Sequence, residues 1–277
     1  MRIIRKIAVL LIGLLLTACE DVIDVDLDTA PPRLVVDASI DWLKNTSGNE
    51  QKIMLSTTTA YYSTEFPSVS GADITINNSK GSVFEFIEIP GTGEYVCTNF
   101  EPVLGEVYTL TILQNGERYT ASEELVATSP IEDTIEQNNT GGFGADEIEL
   151  TYYYRDDGTK VNYYLFGIKD SHIIFPQYSV EDDENNQGNL TPVYYSNKDL
   201  ETGDLVSFKL YGISKRYYEY FKKVLVASGN DDGPFQSTPT AVRGNIINES
   251  NSADYTFGYF RLSEVDSKEY KIQDTDI

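Results

Sequence analysis

Hydrophobic and polar residues alternate in short runs over the first half of this chain. The runs are four to eight residues long, and Gly, Asn, Ser and Pro separate them, which is typical of β-strands joined by turns. They are Leu34–Ile40, Lys52–Ser56, Ala72–Asn77, Val83–Ile89, Glu94–Thr98, Val107–Leu113 and Glu117–Ala121. This density of strands, seven in about 100 residues, predicts a β-sandwich of immunoglobulin-like build over residues 34–128.

The turn between the last two of these runs carries the clearest signal. Asn115-Gly116 lies between two alternating segments, and both residues accept the positive φ values of a type I′ turn. A two-residue hairpin is therefore predicted at this point.

Residues 129–146 have a different composition. They are polar, and they contain Pro130 and the run Gly141-Gly142-Phe143-Gly144, which predicts a linker between two domains.

A second, mainly β domain is predicted over 147–277. Its strands are Glu147–Tyr154, Val161–Lys169, His172–Tyr178, Val193–Tyr195, Asp204–Ile213 and Tyr255–Val265, and Arg155–Gly158 is predicted as a turn between the first two. The fold class expected for the whole chain is accordingly all-β in the main, with a sandwich followed by a tyrosine-rich β domain.

One segment of the second domain has a helical period. Its apolar positions are Tyr217, Phe221, Val224 and Leu225, which recur at i, i+4, i+7 and i+8. Ser214 suits the N-cap and Gly229 the position after the C-cap. A helix is predicted at about 215–228.

The N-terminus has the order of a bacterial lipoprotein signal. Arg2, Arg5 and Lys6 precede the apolar run Ile7–Leu16, and Leu16-Thr17-Ala18-Cys19 closes it. Ten apolar residues are too few to span a bilayer core, which needs about 20. The pattern predicts a signal peptide over 1–18 and lipidation of Cys19.

Residues 19–33 are predicted to hold the lipid anchor and a first strand. Val25 and Leu27 alternate there with Asp24, Asp26 and Asp28, as in a half-buried strand.

The net charge argues against two kinds of partner, and the cysteine content argues against an intramolecular disulfide. The formal charge of −23 disfavours nucleic acid and anionic lipid surfaces, since both would be repelled. With Cys19 lipidated, only Cys97 remains, so no intramolecular disulfide can form. Cys97 lies in a strand-like run and is expected to be a small buried residue.

The inventory of catalytic motifs is equally restrictive. The sequence has no nucleophile elbow, Walker loop, His-Glu-x-x-His or Cys-x-x-Cys motif, and His172 is its single histidine. No enzyme activity, cofactor or metal is therefore expected, although a carboxylate-dependent hydrolase stays open as an alternative. Acidic loops at Glu181–Asn189 and Gly229–Pro239 leave calcium as a further option, but neither has the ligand spacing of an EF-hand.

Tyrosines are concentrated in the second half, often in adjacent pairs. Neighbours on a strand point to opposite faces, so each pair places one ring in the core and one outside. Outward tyrosines serve either as cross-strand aromatic partners or as an interface. The possible interface residues are Tyr152, Tyr153, Tyr154, Tyr163, Tyr164, Tyr194 and Tyr195.

Several short motifs along the chain occur in an order that resembles a known family. They are Cys19-Glu20-Asp21, Leu34-Val35-Val36-Asp37, Asp157-Gly158 with Asn162-Tyr163-Tyr164, Pro239, Gly244-Asn245-Ile246 and Gly258-Tyr259-Phe260. This order is similar to that of the outer-membrane lipoproteins of Bacteroidota grouped as domain-of-unknown-function family 4249. The resemblance implies an outer-membrane location and a gene often placed beside a TonB-dependent receptor. It supplies no catalytic residues.

Two further patterns look like signals of the same bacteria. Glu20 and Asp21 resemble an export signal that places lipoproteins on the outer face of the membrane. Thr29 and Thr134, each within Asp-Thr-apolar, resemble O-glycosylation acceptors in predicted connections, although three-residue patterns also recur by chance.

The function expected from these features is a surface-exposed, non-catalytic binding or accessory subunit of a TonB-dependent nutrient transporter. An adhesin, or a lipoprotein that binds a glycan or peptide alone, is the alternative. Catalysis requires carboxylates that converge in a cleft, whereas a binding module requires tyrosines on an exposed face.

Overall fold

A computed structural model describes residues 31–60, 63–142, 144, 147–229 and 241–274 of the chain. Several predictions lie outside these residues: the signal peptide 1–18, lipidation of Cys19, the export signal Glu20-Asp21, the strand around Val25 and Leu27, the acceptor Thr29, and positions 230–239 of the second acidic loop. Residues Pro32–Ile277 form one compact unit.

The described chain is mainly β, with fifteen strands and one helix. The strands are β1 Leu34–Leu43, β2 Gln51–Thr57, β3 Asp73–Asn78, β4 Val83–Glu88, β5 Glu94–Cys97, β6 Val107–Gln114, β7 Glu117–Val126, β8 Ile131–Gly141, β9 Glu147–Arg155, β10 Tyr163–Lys169, β11 Gln177–Asp182, β12 Leu190–Asn197, β13 Leu205–Gly212, β14 Ile247–Asn248 and β15 Phe257–Lys271; the helix is α1 Lys215–Ala227. No helix among the described residues is both long and apolar enough to cross a bilayer.

Twelve strands form one continuous sheet in the order β11-β10-β13-β15-β1-β2-β5-β4-β3-β6-β7-β14. A further pairing between β15 and β7 closes eight of them, from β15 through β1 to β7, into a ring. All eight strands contribute side chains to one buried hydrophobic cluster, so this ring encloses the first core.

Local sequence explains the ring strands. Val36, Ala38 and Ile40 of β1 are fully buried, and the residues between them face the other side of the sheet, as period-two alternation requires. The predicted hairpin is confirmed, since Gln114 pairs with Glu117 and both Asn115 and Gly116 have positive φ.

The second half is layered. Strands β8, β9 and β12 form a separate sheet in the order β12-β9-β8, and its side chains share a second core with those of β10 and β13. Helix α1 contributes to a third cluster with Leu165, Tyr211 and Tyr259. The predicted helix is confirmed with its cap, because Ser214 Oγ accepts the Tyr217 N–H at 3.1 Å.

Strand β15 belongs to both halves. It pairs in parallel with β1, from Val35↔Phe257 to Leu43↔Val265, and antiparallel with β13. Gly258 allows the close approach to β1, since it has φ +94° and any Cβ there would collide with the main chain of Val36. Residues 34–128 supply most of the first core and 147–277 most of the other two, but Ile246, Phe260 and Leu262 also belong to the first core. The division into two domains stays a prediction.

Two local predictions were wrong. The supposed linker 129–146 contains strand β8, whose polar composition reflects an exposed face at the edge of a sheet. The strand expected at His172–Tyr178 lies instead at Gln177–Asp182, because Asp170 accepts the N–H groups of His172 and Ile173 and holds a turn there.

Candidate binding cleft

Four of the seven candidate interface tyrosines are core residues. Tyr152, Tyr154, Tyr164 and Tyr195 are each at most 6% exposed. Their rings pack within the second core; those of Tyr154 and Tyr164, for example, lie 5.0 Å apart. The prediction that they form an interface is corrected, because these are the inward members of the alternating pairs.

The other three tyrosines lie nearer the surface. Tyr163 is half-buried and packs against Tyr218 of α1, with ring centroids 5.1 Å apart. Tyr153 and Tyr194 lie on the outer face of the β12-β9-β8 sheet. Tyr194 is 64% exposed, and the Tyr153 hydroxyl donates to Glu136 at 3.0 Å. The outward tyrosine surface is therefore this pair.

Buried carboxylates satisfy the hydroxyls of two core tyrosines. The Tyr164 hydroxyl donates to Asp156 at 2.7 Å and the Tyr195 hydroxyl to Asp170 at 2.6 Å. Burial alone would raise the pKa of Asp170, but hydrogen bonds from Tyr195, Asn197 and main-chain N–H groups lower it overall. Such acids, fully engaged within the core, have a structural role.

The Asp-Gly and Asn-Tyr-Tyr motifs belong to the same network. Asn162 donates through Nδ2 to Asp156 at 3.2 Å and to the carbonyl of Asp157 at 2.9 Å. Asp183 is buried and accepts the Asn162 N–H at 2.8 Å. The acidic segment Glu181–Asn189 begins within β11 and is mostly exposed, as expected for a loop, but its buried residue Asp183 anchors it to the core.

An open cleft lies on the face of the large sheet that α1 partly covers. It has a volume of about 410 Å³. Its walls are Asp37, Ser39 and Asp41 of β1, Lys52 and Met54 of β2, Leu165 of β10, Tyr178 of β11, Tyr211 of β13, Tyr217 and Phe221 of α1, and Arg261 of β15. Sequence alternation places the β1 side chains there, because Val36, Ala38 and Ile40 point into the first core.

Arg261 is the charged group buried in the cleft wall. It is 5% exposed, its Nη2 lies 2.8 Å from Asp41 Oδ1, and its Nη1 donates to Ser263 Oγ at 2.6 Å. Among the described residues its Nε has no hydrogen-bond partner. Burial would lower the pKa of Arg261, but nearby Asp41 outweighs that effect and raises it. The guanidinium therefore stays charged.

Aromatic rings pack beside this guanidinium, which lies 5.3 Å from the centroid of the Tyr217 ring. Tyr217 stacks on Phe221 with centroids 5.5 Å apart, and Tyr178 meets Phe221 edge-on at 6.1 Å. Burial raises the pKa of Tyr217 to about 12 and also raises that of Tyr178. At neutral pH these hydroxyls keep their protons, so each can both donate and accept a hydrogen bond.

A smaller recess of about 120 Å³ adjoins the cleft and shares Tyr178 and Tyr211 with it. Lys169 and Lys209 line this recess. Tyr178, which is 40% exposed, therefore stands between two depressions on one surface.

Cys97 and His172, whose side chains are the most reactive candidates, do not line the cleft. Cys97 is 1% exposed, as predicted for a core residue, and burial raises the pKa of its thiol. His172 lies in a turn and pairs with Asp204 at 2.6 Å. No group of three or more His, Cys, Asp or Glu residues that could hold a metal ion occurs within the described ranges.

The glycosylation candidate Thr134 is exposed but lies in strand β8, so its predicted position in a connection was wrong. The register of β8 shifts between Ile131 and Ile135, which places Thr134 in an irregular part of the strand. Its neighbour Asp133 accepts from Lys268 at 2.6 Å.

Sequence reasoning missed the cleft. The alternation of Asp37, Ser39 and Asp41 with apolar residues was visible in the sequence and indicated a polar strand face. The register that sets Ser39 beside Arg261 had no local signal, because it joins residues more than 200 positions apart.

Comparison with known proteins identifies one family. A family model described as "Domain of unknown function (DUF4249)" matches residues 20–269. No curated protein matches the chain.

Two of the solved structures that match the chain illustrate how weak the similarity is. A segment of two fibronectin type-III domains from chicken tenascin is 14% identical, with 65% of this chain and 90% of that chain covered and a TM-score of 0.22. A DUF4785 family protein from Legionella pneumophila is 10% identical, with 65% and 51% covered and a TM-score of 0.25. Both TM-scores are too low to indicate a shared fold.

Proposed function

The chain belongs to the DUF4249 family, and from that premise we propose that it is a lipid-anchored outer-membrane protein of Bacteroidota, exposed at the cell surface. Its role in this proposal is that of a non-catalytic binding and accessory subunit of a TonB-dependent nutrient transporter. We also propose that strands β1 to β7, within 34–128, have an immunoglobulin-like build.

The observation that carries the binding role is the cleft of about 410 Å³ with its aromatic and charged walls. This volume falls within the range of about 300–1,000 Å³ that is usual for small-ligand sites. Tyrosine and arginine supply large contact areas with polar tips, which suits reversible recognition.

The accessory role rests on the predicted anchor. Leu34 follows Cys19 by fifteen positions, and an extended chain spans about 3.3 Å per residue. A lipid on Cys19 would thus keep the body within roughly 50 Å of the membrane. Such confinement raises the effective concentration of a neighbouring membrane protein, so that a modest interface suffices.

Tyr153 and Tyr194 are the proposed contact with the transporter. They are the outward members of the tyrosine pairs, on the exposed face of the three-stranded sheet, and a rigid ring with a polar tip is favoured at interfaces. The double variant Tyr153→Ser, Tyr194→Ser should release the transporter when the protein is purified from membranes in mild detergent.

The matched control is Tyr178→Ser, which alters an exposed tyrosine of the cleft and should retain the transporter. Fractionation with the outer membrane and circular dichroism verify anchoring and folding. If the wild-type protein, anchored and folded, recovers no transporter, the accessory role is refuted and the adhesin alternative is favoured.

A further inference from the structure

We propose that the cleft between β1, β15 and α1 binds a neutral oligosaccharide. The proposal deepens the binding role above and rests on it, since it names the ligand class of the same cleft. It is carried by the balance of charge in the cleft, by an exposed tyrosine ring between two recesses, and by the floor strands.

Charges in the cleft are balanced. Among the lining residues, Asp37 and Asp41 contribute two carboxylates and Arg261 and Lys52 two cations. Arg261 pairs with Asp41 within the cleft, and Lys52 pairs with Glu94 beside it. A simple cation entering the cleft meets the two basic side chains, and a simple anion meets the two acids. Neighbouring hydroxyls of a sugar both donate and accept, so they can bond to a carboxylate and a guanidinium together.

The aromatic wall suits the apolar face of a sugar ring. Tyr178 is 40% exposed, and Phe221 supports its ring edge-on. A flat ring held in this way offers contact area at little entropic cost, because tyrosine has only two rotatable side-chain bonds.

The cleft and the smaller recess lie on either side of Tyr178, which indicates a ligand longer than one sugar unit. The cleft contains the two carboxylates and the two cations, and the smaller recess adds Lys169 and Lys209 as hydrogen-bond donors. An oligosaccharide of two or more units can occupy both the cleft and the smaller recess while it crosses the Tyr178 ring.

The floor of the cleft disfavours an extended peptide. Peptides that bind to sheets usually add a strand to a free edge and use its main-chain groups. The floor strands β1, β2 and β15 are interior strands, each paired on both sides. They present side chains to the cleft, and the edge strand of this sheet nearest to it is β11, which contributes Tyr178 to the side of the cleft and not to its floor.

The test uses the lipidated mature protein in mild detergent on an array of neutral gluco-, galacto-, manno- and xylo-oligosaccharides of two to six units. An array of tryptic casein peptides serves as the comparison. The tightest ligand is then titrated by calorimetry against Tyr178→Ala and Asp37→Asn, with Tyr194→Ala as a matched exposed tyrosine outside the cleft.

We expect at least one oligosaccharide series to bind, with affinity at least ten-fold weaker for Tyr178→Ala and Asp37→Asn and unchanged for Tyr194→Ala. Three results would each overturn the proposal. They are binding of casein peptides alone, oligosaccharide affinity that neither Tyr178→Ala nor Asp37→Asn changes, and no binding to either array by folded protein. A protein that co-purifies with the transporter and binds no oligosaccharide refutes this inference alone. A protein that binds sugar but recovers no transporter refutes only the accessory role.

Discussion

Two buried tyrosines of the second core, Tyr152 and Tyr164, differ in whether their hydroxyls have hydrogen-bond partners. Tyr152 is fully buried, and its hydroxyl has no hydrogen-bond partner among the described residues. Tyr164 is equally buried, but its hydroxyl donates to Asp156 and lies 3.0 Å from Ser129 Oγ. The two positions therefore form a natural pair for comparing the same substitution.

We expect Tyr152→Phe to leave the free energy of unfolding unchanged or to raise it by up to ~1 kcal/mol, because an unpaired buried hydroxyl is lost. Tyr164→Phe should lower it by ~1.5–3 kcal/mol, since Asp156 loses a donor to its charge. Urea denaturation monitored by circular dichroism measures both. The opposite order of the two variants would contradict the hydrogen-bond assignments.

His172 provides a second test at this scale, because it is the single histidine of the chain. Its hydrogen bond to Asp204 raises the pKa of the imidazole above its ordinary value. The same bond, together with hydrogen bonds from the Glu201 N–H and the Ser171 hydroxyl, lowers the pKa of Asp204 to about 2. In NMR titrations the imidazole should titrate above pH 6.5 in the wild type and closer to 6.5 in Asp204→Asn. A wild-type value at or below 6.5 would refute the pairing.

The sign of the pH effect on stability follows from these shifts. A raised histidine pKa stabilises the folded state below the unfolded pKa of about 6.5, and this stabilisation is lost as pH rises through the folded pKa. The lowered pKa of Asp204 stabilises above about pH 4, and that effect is lost as pH falls towards 2. The pair thus contributes most between about pH 4 and 6.5.

At the scale of elements, the sequence predicted those strands and turns whose signals are local. The ring strands alternate cleanly because one face packs on the first core, and Asn115-Gly116 and Ser214 specify a turn and a cap through their own chemistry. The positions of β2 to β7 therefore follow from residues near each strand.

Elements defined by distant contacts were not predictable in the same way. Strand β8 has few apolar side chains, the buried Ile131 and the half-buried Ile135, so its composition resembles that of a linker. The start of β11 is displaced by the turn that Asp170 holds, and this carboxylate is fixed by Tyr195 and Asn197 of β12. Neither effect is visible within a window of neighbouring residues.

The cleft shows the same limit at a functional position. Its polar β1 face could be predicted, whereas its basic centre could not, because Arg261 comes from the far end of the chain. Likewise, the sequence showed that tyrosines occur in adjacent pairs. It did not show which tyrosine of each pair points into the core, because that depends on the register of β9 with β12.

At the scale of the whole molecule, β15 connects the structure. It supplies Phe260 and Leu262 to the first core, it separates β1 from β13, and it carries Arg261 in the cleft. The ring closes only through its contact with β7. Stability of the first half should therefore depend on the last strand of the chain.

Truncation after Thr256 tests this dependence. Without β15, strands β1 and β7 lose a neighbour and the first core loses two fully buried side chains, each worth about 1.5–3 kcal/mol of burial. Such a loss, about 3–6 kcal/mol for the two side chains, reaches the lower end of the total stability of a typical domain, about 5–15 kcal/mol. We expect the truncated chain to be cleaved by trypsin within 34–128 at low protease concentration.

A chain that ends at Asp274 is the control, and it should resist cleavage like the full protein. A synthetic peptide of residues 257–271 added to the truncated chain should restore part of the protection, because β15 pairs through its main chain with β1 and β13 at once. If instead 34–128 stays resistant without β15, the first half is an independent domain, and the strand shared in the structure contributes little to its stability.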